Sequence, residues 1–293
     1  MSTVEKFRTI FRRFCENTGS LGLVMYQSYL YHGTRGRWPN FRNPQDISAR
    51  ILGSMQKKSF LKYADLADKA KVHDYIKSKG LENILLEHYA LWDDVEKIDL
   101  SNMPEKFILK PNNGSGGHVI CRDKSTFDLA SAKVTIQAAF DMAKHYYFEP
   151  HYMHIKPQVI CEQLLDLGPG VLPTDYKFTC VKGHVMDIFI AIEDANGKRK
   201  YNTVDTNWNL LSYTKKEYIL DPIPEKPSKL DEMKKYAEIL SADFDFVRVD
   251  FYEYNGKVYF SELTFSPWGG YLFSYTNEAV EKYEAFYRQN VRS

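Results

Sequence analysis

The stretch from Phe246 to Gly270 constrains the fold most. Val247, Val249 and Phe251 alternate with Arg248 and Asp250, and a second alternating run follows Asn255-Gly256. Period-two patterning around such a turn reads as an antiparallel hairpin with one face in a core. The expected core face holds Val247, Val249 and Phe251 with Tyr259, Leu263 and Phe265. The other face then carries Arg248, Asp250, Glu262 and Thr264. Register decides whether those polar groups meet, because a one-residue slip turns every side chain over. A two-residue Asn255-Gly256 turn would pair Tyr254 with Lys257 and separate Asp250 from Glu262. A three-residue loop, Tyr254-Asn255-Gly256 with Gly256 left-handed, pairs Glu253 with Lys257 and sets Arg248 against Glu262 with Asp250 diagonal. The second arrangement is expected.

Two adjacent carboxylates resist joint ionisation unless a cation sits between them. Magnesium prefers oxygen ligands and is commonly shared with substrate phosphates. Asp250 and Glu262 therefore read as metal ligands, and Arg248 as a stabiliser of a phosphoryl group in transfer. A surface ion-pair cluster is the plainer alternative.

A second segment, Phe107-Ile-Leu-Lys-Pro-Asn-Asn-Gly-Ser-Gly-Gly117, complements the first. Asn113, Gly114, Ser115 and Gly116 form a tight link between two expected strands, and glycines there let backbone N–H groups approach an anion. Lys110 places an ammonium near the same anion. The Gly-Lys-Ser/Thr of a Walker loop is missing, as is the dinucleotide fingerprint. A glycine-rich hairpin without a ligand is the competing reading. Between the two segments, Pro157 to Leu165 reads as a strand whose end leads into Asp166-Leu-Gly-Pro-Gly170. Such an end can meet an adenine edge through its backbone, with Leu164 and Leu165 on the base's face. Asp175 and Lys177 alternate on the next strand, suited to a ribose hydroxyl and a phosphate, or to pairing with each other.

With 293 residues, 44% hydrophobic and 26% charged, the chain is a folded globular protein. It contains no apolar run long enough to cross a bilayer and no expected secretion signal. Cys15, Cys121, Cys161 and Cys180 lack metal-site spacing and read as buried thiols in a reducing cytoplasm. Net charge is +1, yet residues 1–60 hold ten basic groups against three acidic ones, a local +7 that leaves −6 elsewhere. That face suits an anionic polymer or membrane surface, or the acidic remainder of the chain. Helices are expected to about Tyr31, from Asn43-Pro44 towards Lys57, over Asp65–Lys79, Thr126–His145, Leu230–Leu240 and Asn277–Arg288. Further strands are expected at His118–Arg122, Gln158–Glu162, Tyr176–Val181 and Val185–Glu193. Strands mostly neighbour strands, so the fold class is α+β with antiparallel sheets.

In this order the pieces resemble an ATP-grasp protein, most nearly the TupA-like branch associated with teichuronopeptide and capsule synthesis. The resemblance spans about Asn43 to the C-terminus. It implies two α+β lobes clasping ATP, behind a basic, mainly helical segment over residues 1–60. It divides 61–293 into a mobile central lobe at about 99–162 and a metal-binding lobe over 163–293. Similarity to D-alanine–D-alanine ligases implies Glu162, Gln163 and Leu165 at the base, Asp175 at the ribose and Lys110 at phosphate, with Lys177 beside them. Thr264 stands where an asparagine usually ligates magnesium. In Asp68-Lys-Ala-Lys-Val-His73 the expected cation is replaced by His73, with Lys71 a substitute.

The resemblance implies an ATP-dependent ligase, using Mg²⁺ or Mn²⁺, that activates a carboxylate as an acyl phosphate and passes it to an amine. The carboxylate expected is that of a uronic acid on a saccharide or polysaccharide, and the amine an amino acid or small amine. The segment Arg35-Gly-Arg-Trp-Pro-Asn-Phe-Arg42 is suited to an anionic glycan. A cytoplasmic location, at most peripheral to the inner membrane face, and no nucleic-acid partner are expected. A surface-polysaccharide glycosyltransferase and a non-catalytic ATP-binding scaffold are the rivals.

Overall fold

The structure, a computed structural model, describes residues 3–168, 173–193, 199–219 and 223–291. Pro169 and Gly170 of the expected connection lie outside them. The architecture is α+β, with two antiparallel sheets. The smaller sheet has the order β1-β4-β2-β3, from His88–Trp92, Val159–Glu162, Phe107–Pro111 and Val119–Cys121. Helix α6, Leu129–Ala143, packs on it through Ala132, Ile136 and Phe140, against Phe107, Leu109, Val159 and Cys161. The larger sheet has the order β7-β6-β5-β8-β9, from Arg199–Val204, His184–Glu193, Asp175–Val181, Phe246–Tyr254 and Lys257–Thr264.

The larger core explains why the second sheet holds its shape. Phe178 and Cys180 of β5 and Val247, Val249 and Phe251 of β8 are fully buried. Helix α7, Leu230–Ser241, lays Leu230, Met233, Ala237 and Leu240 in the same core, a spacing that marks one helical face. Helix α8, Asn277–Val291, adds Ala279, Val280, Tyr283 and Tyr287. The four cysteines are buried and unpaired.

The N-terminal part differs from the single expected helix. Helices α1, Thr3–Glu16, and α2, Gly19–Arg35, are separated at Asn17-Thr18. Gly22 sits so close to the Cys15 carbonyl that a Cβ there would lie 1.8 Å from it. Helix α3, Ile47–Met55, begins at Asp46 rather than at Asn43-Pro44, because the Asp46 carboxylate accepts the Ala49 amide at 2.8 Å. Tyr31, Ile47, Ala49, Ile51, Leu52 and Met55 join the larger core. Of the basic segment expected to suit a glycan, Arg35 is 4% exposed and Arg37 pairs with Asp46 and Glu281, whereas Trp38 and Arg42 are exposed.

The helix expected over Asp65–Lys79 is two, α4 Ala64–Ala67 and α5 Val72–Ser78. Asp68 is extended (ψ 111) at the break, and its carboxylate accepts the Ala70 amide and the Asn112 side chain, each at 2.9 Å. Local carboxylate–backbone bonding of this kind competes with the helix. It turns the following residue, Lys69, out of the helical path.

Candidate active site

The hairpin of β8 and β9 supplies the site, in a register that corrects the expected one. Asn255 (φ 51) and Gly256 (φ 70) form a two-residue turn, and Tyr254 pairs with Lys257. That turn was expected to part Asp250 from Glu262. Instead the two are direct partners, because a β-bulge at Ser261 shifts the register between the Phe251–Phe260 and Asp250–Glu262 pairs. The bulge also corrects the core face, where Val258 and Phe260 are buried and Tyr259 is not.

Sheet pairing then builds two rows. Lys177 lies against Asp250, and Asp250 against Glu262, while Thr179 lies against Arg248, and Arg248 against Thr264. Arg248 Nε donates to Asp250 Oδ1 at 2.7 Å and Nη2 to Asp250 Oδ2 at 2.6 Å. The same Nη2 donates to Glu262 Oε1 at 2.7 Å and to Thr264 Oγ1 at 3.1 Å. Lys177 Nζ reaches Asp250 Oδ2 at 2.6 Å and also pairs with Asp175. Burial raises the Asp250 carboxyl to about 6, outweighing Arg248 and Lys177. Glu262 is driven well below its ordinary range: burial opposes this, and Lys69, Arg248 and Lys177 overcome it.

The glycine loop faces this sheet from the other lobe. Gly114 (φ 67) is buried, and a Cβ there would stand 2.7 Å from the Tyr146 ring. Ser115 and Gly116 are exposed. Asn113 is 6% exposed, with an Oδ1 that has no hydrogen-bond partner among the described residues. Lys110 Nζ meets Glu162 Oε1 at 2.5 Å, and His88 Nε2 lies 3.0 Å from Glu162 Oε2. The His73 ring stacks on His88 with centroids 3.9 Å apart. Burial and the neighbouring His88 lower His73 to about 4, so it is neutral near pH 7 and brings no cation. Burial opposes ionisation of Glu162 as well, yet Lys110 and His88 hold it at about 2. Donor atoms of His73, His88 and Glu162 lie within 4.8 Å of one another, but both Glu162 oxygens are already held by Lys110 and His88.

Strand β4, whose end was expected to meet the base, pairs with β2 and so lies next to Lys110. The Gln163 amide is bonded to the Glu87 carbonyl at 2.9 Å, and Leu165 is buried. Lys71 is not brought to this cluster: it pairs with Asp65 on the surface, its side chain 53% exposed. Lys69, which the sequence reading passed over, takes that place. Its Nζ donates to the Gly114 carbonyl at 2.7 Å and lies 3.8 Å from Glu262 Oε2, so one ammonium touches both lobes. The signal was the dipeptide Asp68-Lys69 itself, read only as the start of a helical pattern.

Between the lobes lies a cavity of about 320 Å³, walled by Gly114 and Ser115 on one side and Lys177, Arg248, Glu262 and Thr264 on the other. The oxygen donors of Asp250, Glu262 and Thr264 on one sheet face suit a hard divalent cation. Arg248 and Lys177 now hold the Asp250 oxygens, so such an ion would have to compete with them.

Among solved structures the chain is similar to D-alanine–D-alanine ligase from Helicobacter pylori, at 17% identity and TM-score 0.42, covering 75% of this chain and 60% of that one. It is similar to the D-alanine–D-alanine ligase from Bacillus anthracis, at 14% identity and TM-score 0.43, covering 84% and 66%. For an L-amino acid ligase from Bacillus licheniformis the values are 14%, 0.44, 74% and 48%. The chain thus spans less than two thirds of the length of these proteins. No curated protein matches it. The family described as TupA-like ATP-grasp matches residues 48–283, and the chain belongs to that family.

Proposed function

We propose that this protein is an ATP-dependent carboxylate–amine ligase, which joins an amino acid or small amine to a uronic-acid carboxylate of a capsular or cell-wall saccharide. The observation that carries the reading is the meeting of Lys69 with Gly114 and Glu262, which sets an ammonium between an anion-binding loop and a carboxylate–arginine row. Lys110, Asn113, Gly114, Ser115 and Gly116 would receive phosphates, with Glu162, Gln163 and Leu165 at the base, His73 at its edge, and Asp175 and Lys177 at the ribose and phosphate side. Asp250, Glu262 and Thr264 would hold Mg²⁺ or Mn²⁺, whose chemistry is to neutralise charge on the phosphates.

Arg248 stabilises the phosphoryl group as the substrate carboxylate attacks it and ADP leaves. The resulting acyl phosphate needs protection from water, for which the lobe at about 99–162 would serve as a lid over 163–293. An amine then displaces phosphate and leaves an amide. No nucleophilic side chain is required, because alignment and charge neutralisation carry the reaction.

The compartment proposed is the cytoplasm. No helix among the described residues is long and apolar enough to cross a membrane. Helix α1 exposes Phe7, Ile10 and Phe14 beside Lys6, Arg8 and Arg13, which supports peripheral contact with an anionic membrane face. Sedimentation with phosphatidylglycerol vesicles, lost on Phe7→Ser and Ile10→Ser together, tests that contact.

The activity is tested by incubating the protein with Mg-ATP, glucuronate or galacturonate oligomers and a panel of amino acids. A new amide, with ADP and phosphate in equal amounts, is expected. Glycan extension without ATP consumption would establish a transferase instead, and tight ATP binding without turnover a scaffold.

A further inference from the structure

Glu149 is an ionisable group in the cavity to which the proposed reaction gives no task. It enters from the segment between α6 and β4 and lines the cavity together with Arg248 and Trp268. Ser266 Oγ donates to its Oε1 at 2.7 Å, and its Oε2 lies 3.9 Å from the point where a Cβ on Gly269 would stand. Among the described residues no lysine or arginine pairs with it; burial raises it to about 7, and only the Ser266 hydroxyl offsets this. Aromatic rings surround the same space, from Tyr146, Tyr152, Phe189, Tyr201 and Trp268. The lining therefore offers two chemically different sets of groups. Lys177 and Arg248, the latter 5.9 Å from the centre of the Trp268 ring, suit phosphoryl and carboxylate oxygens. Glu149, with no lysine or arginine paired to it among the described residues, and the rings of Tyr146, Tyr152, Phe189 and Tyr201 are the pair of features that holds an ammonium group.

We propose that Glu149 receives the amine substrate, a small primary amine on an apolar or ring-shaped stem, and accepts its proton. The inference rests on the ligase reading. Glu149 takes one proton from the ammonium, and the freed nitrogen lone pair attacks the acyl carbon. The bond from that carbon to the phosphate oxygen breaks, and the second nitrogen proton leaves with the phosphate as hydrogen phosphate. A carboxylate near neutrality in its burial is a competent acceptor, while an amine that stays protonated has no lone pair to give. The titratable and charged groups around it are Tyr146 and Tyr152 of its own segment, Tyr271 after β9, and Lys177, Arg248 and Glu262 of the sheet.

Hydroxylamine separates the two halves of the reaction. It is largely uncharged near neutrality and intercepts an acyl phosphate without needing a base. With Mg-ATP, glucuronate and hydroxylamine, Glu149→Gln should form hydroxamate at the wild-type rate. With the amino-acid panel its kcat/KM for the amine should fall about 100-fold or more, with partial recovery in Glu149→Asp. The acid limb of the wild-type amide pH profile should move up to the amine's own titration when the carboxylate is removed. Wild-type amide formation by Glu149→Gln overturns the inference. So does parallel loss of hydroxamate and amide in a variant that melts like wild type, which would assign Glu149 to the carboxylate half. If Glu149→Gln does not fold, Glu149→Asp and Ser266→Ala decide: a raised KM for the amine is expected, and an unchanged one overturns the inference. A wild type that forms hydroxamate but shows no acceleration of ADP release by any amine also overturns it. A wild type that forms no hydroxamate removes the ligase reading itself, a result distinct from all of these.

Discussion

Lys69, half-buried, joins two partners on different lobes, the Gly114 carbonyl and Glu262. Burial lowers its pKa, with Glu262 and Asp68 opposing the loss of charge. Lys69→Met keeps the stem's packing and removes the charge. A hydrogen bond to a charged group is worth about 1.5–3 kcal/mol, so the dissociation constant for Mg-ATP should rise roughly 10- to 150-fold by titration calorimetry. An unchanged constant would place Lys69 outside nucleotide binding. Lys71→Met, on the surface, should leave that constant alone. A second buried charge acts on stability. Burial raises Asp187 from 3.8 to about 7, although Tyr283 and Tyr275 both donate to it. Across that window the folded chain keeps a proton that the unfolded chain has released, so stability falls as pH rises from about 4 to 7. Asp187→Asn should therefore melt higher than wild type at pH 8, by a few kcal/mol of stability, and much like it near pH 4. Parallel melting curves at both pH values would show that Asp187 is ionised in the folded chain.

At the scale of the hairpin, one extra residue decides the chemistry. Ser261 is the unpaired position that lets Phe260 and Leu263 share the core face while Glu262 faces Asp250. Deleting Ser261 would leave Glu262 directly after Phe260, so Asp250–Glu262 and Val249–Leu263 stay partners in a ladder without the bulge. Inserting one alanine after Ser261, paired without a bulge, instead carries Glu262 past Asp250 to face Arg248. The insertion should abolish Mg²⁺-dependent ATP turnover in a coupled ADP assay, whereas the deletion should stay near wild type. Equal activity in both would mean that register is not what brings the carboxylates together. The residues of the polar face were legible from alternation alone, since Arg248, Asp250, Glu262 and Thr264 do share one face. Their register was not, because a bulge breaks period two without a glycine or proline to announce it. The break at Asp68 escaped for a similar reason: the carboxylate that ends α4 is held by Asn112, which is 44 residues away. Glu149 had no local motif, and only the folded chain brings it to Ser266, 117 residues on.

Over the whole molecule, the uneven charge is spent partly inside the fold. Arg50 makes a two-point contact with Glu284 of α8 at 2.5 and 2.7 Å, and Arg37 reaches Glu281 at 2.5 Å. Arg35 does more. From the end of α2 it donates to the carbonyls of Tyr271, Leu272 and Tyr275 at 2.7 to 2.8 Å. The chain there contains two non-glycine residues at positive φ, Trp268 (49°) and Leu272 (48°), an arrangement that costs about 1–3 kcal/mol each and persists only under external restraint. Ser48 adds a bond to the Gly270 carbonyl at 2.6 Å, and a Cβ on Gly270 would crowd Ile51, Leu52 and Met55 of α3. The N-terminal helices thus hold the turn that supplies Ser266 and Trp268 to the cavity. Arg35→Ala leaves three carbonyls without their donor in a buried place and should cost about 3–5 kcal/mol, read as a lower urea midpoint. Arg35→Lys keeps the charge, but an ammonium cannot match the planar fork, so it should recover less than half of the loss. Because the turn bears the cavity wall, both variants should raise the KM for the amine more than that for ATP, whose proposed contacts lie mainly on Lys69, Lys110 and the glycine loop. A full urea midpoint in Arg35→Ala would show that the turn keeps its shape unaided, and equal effects on both KM values would show that it does not shape the cavity wall selectively.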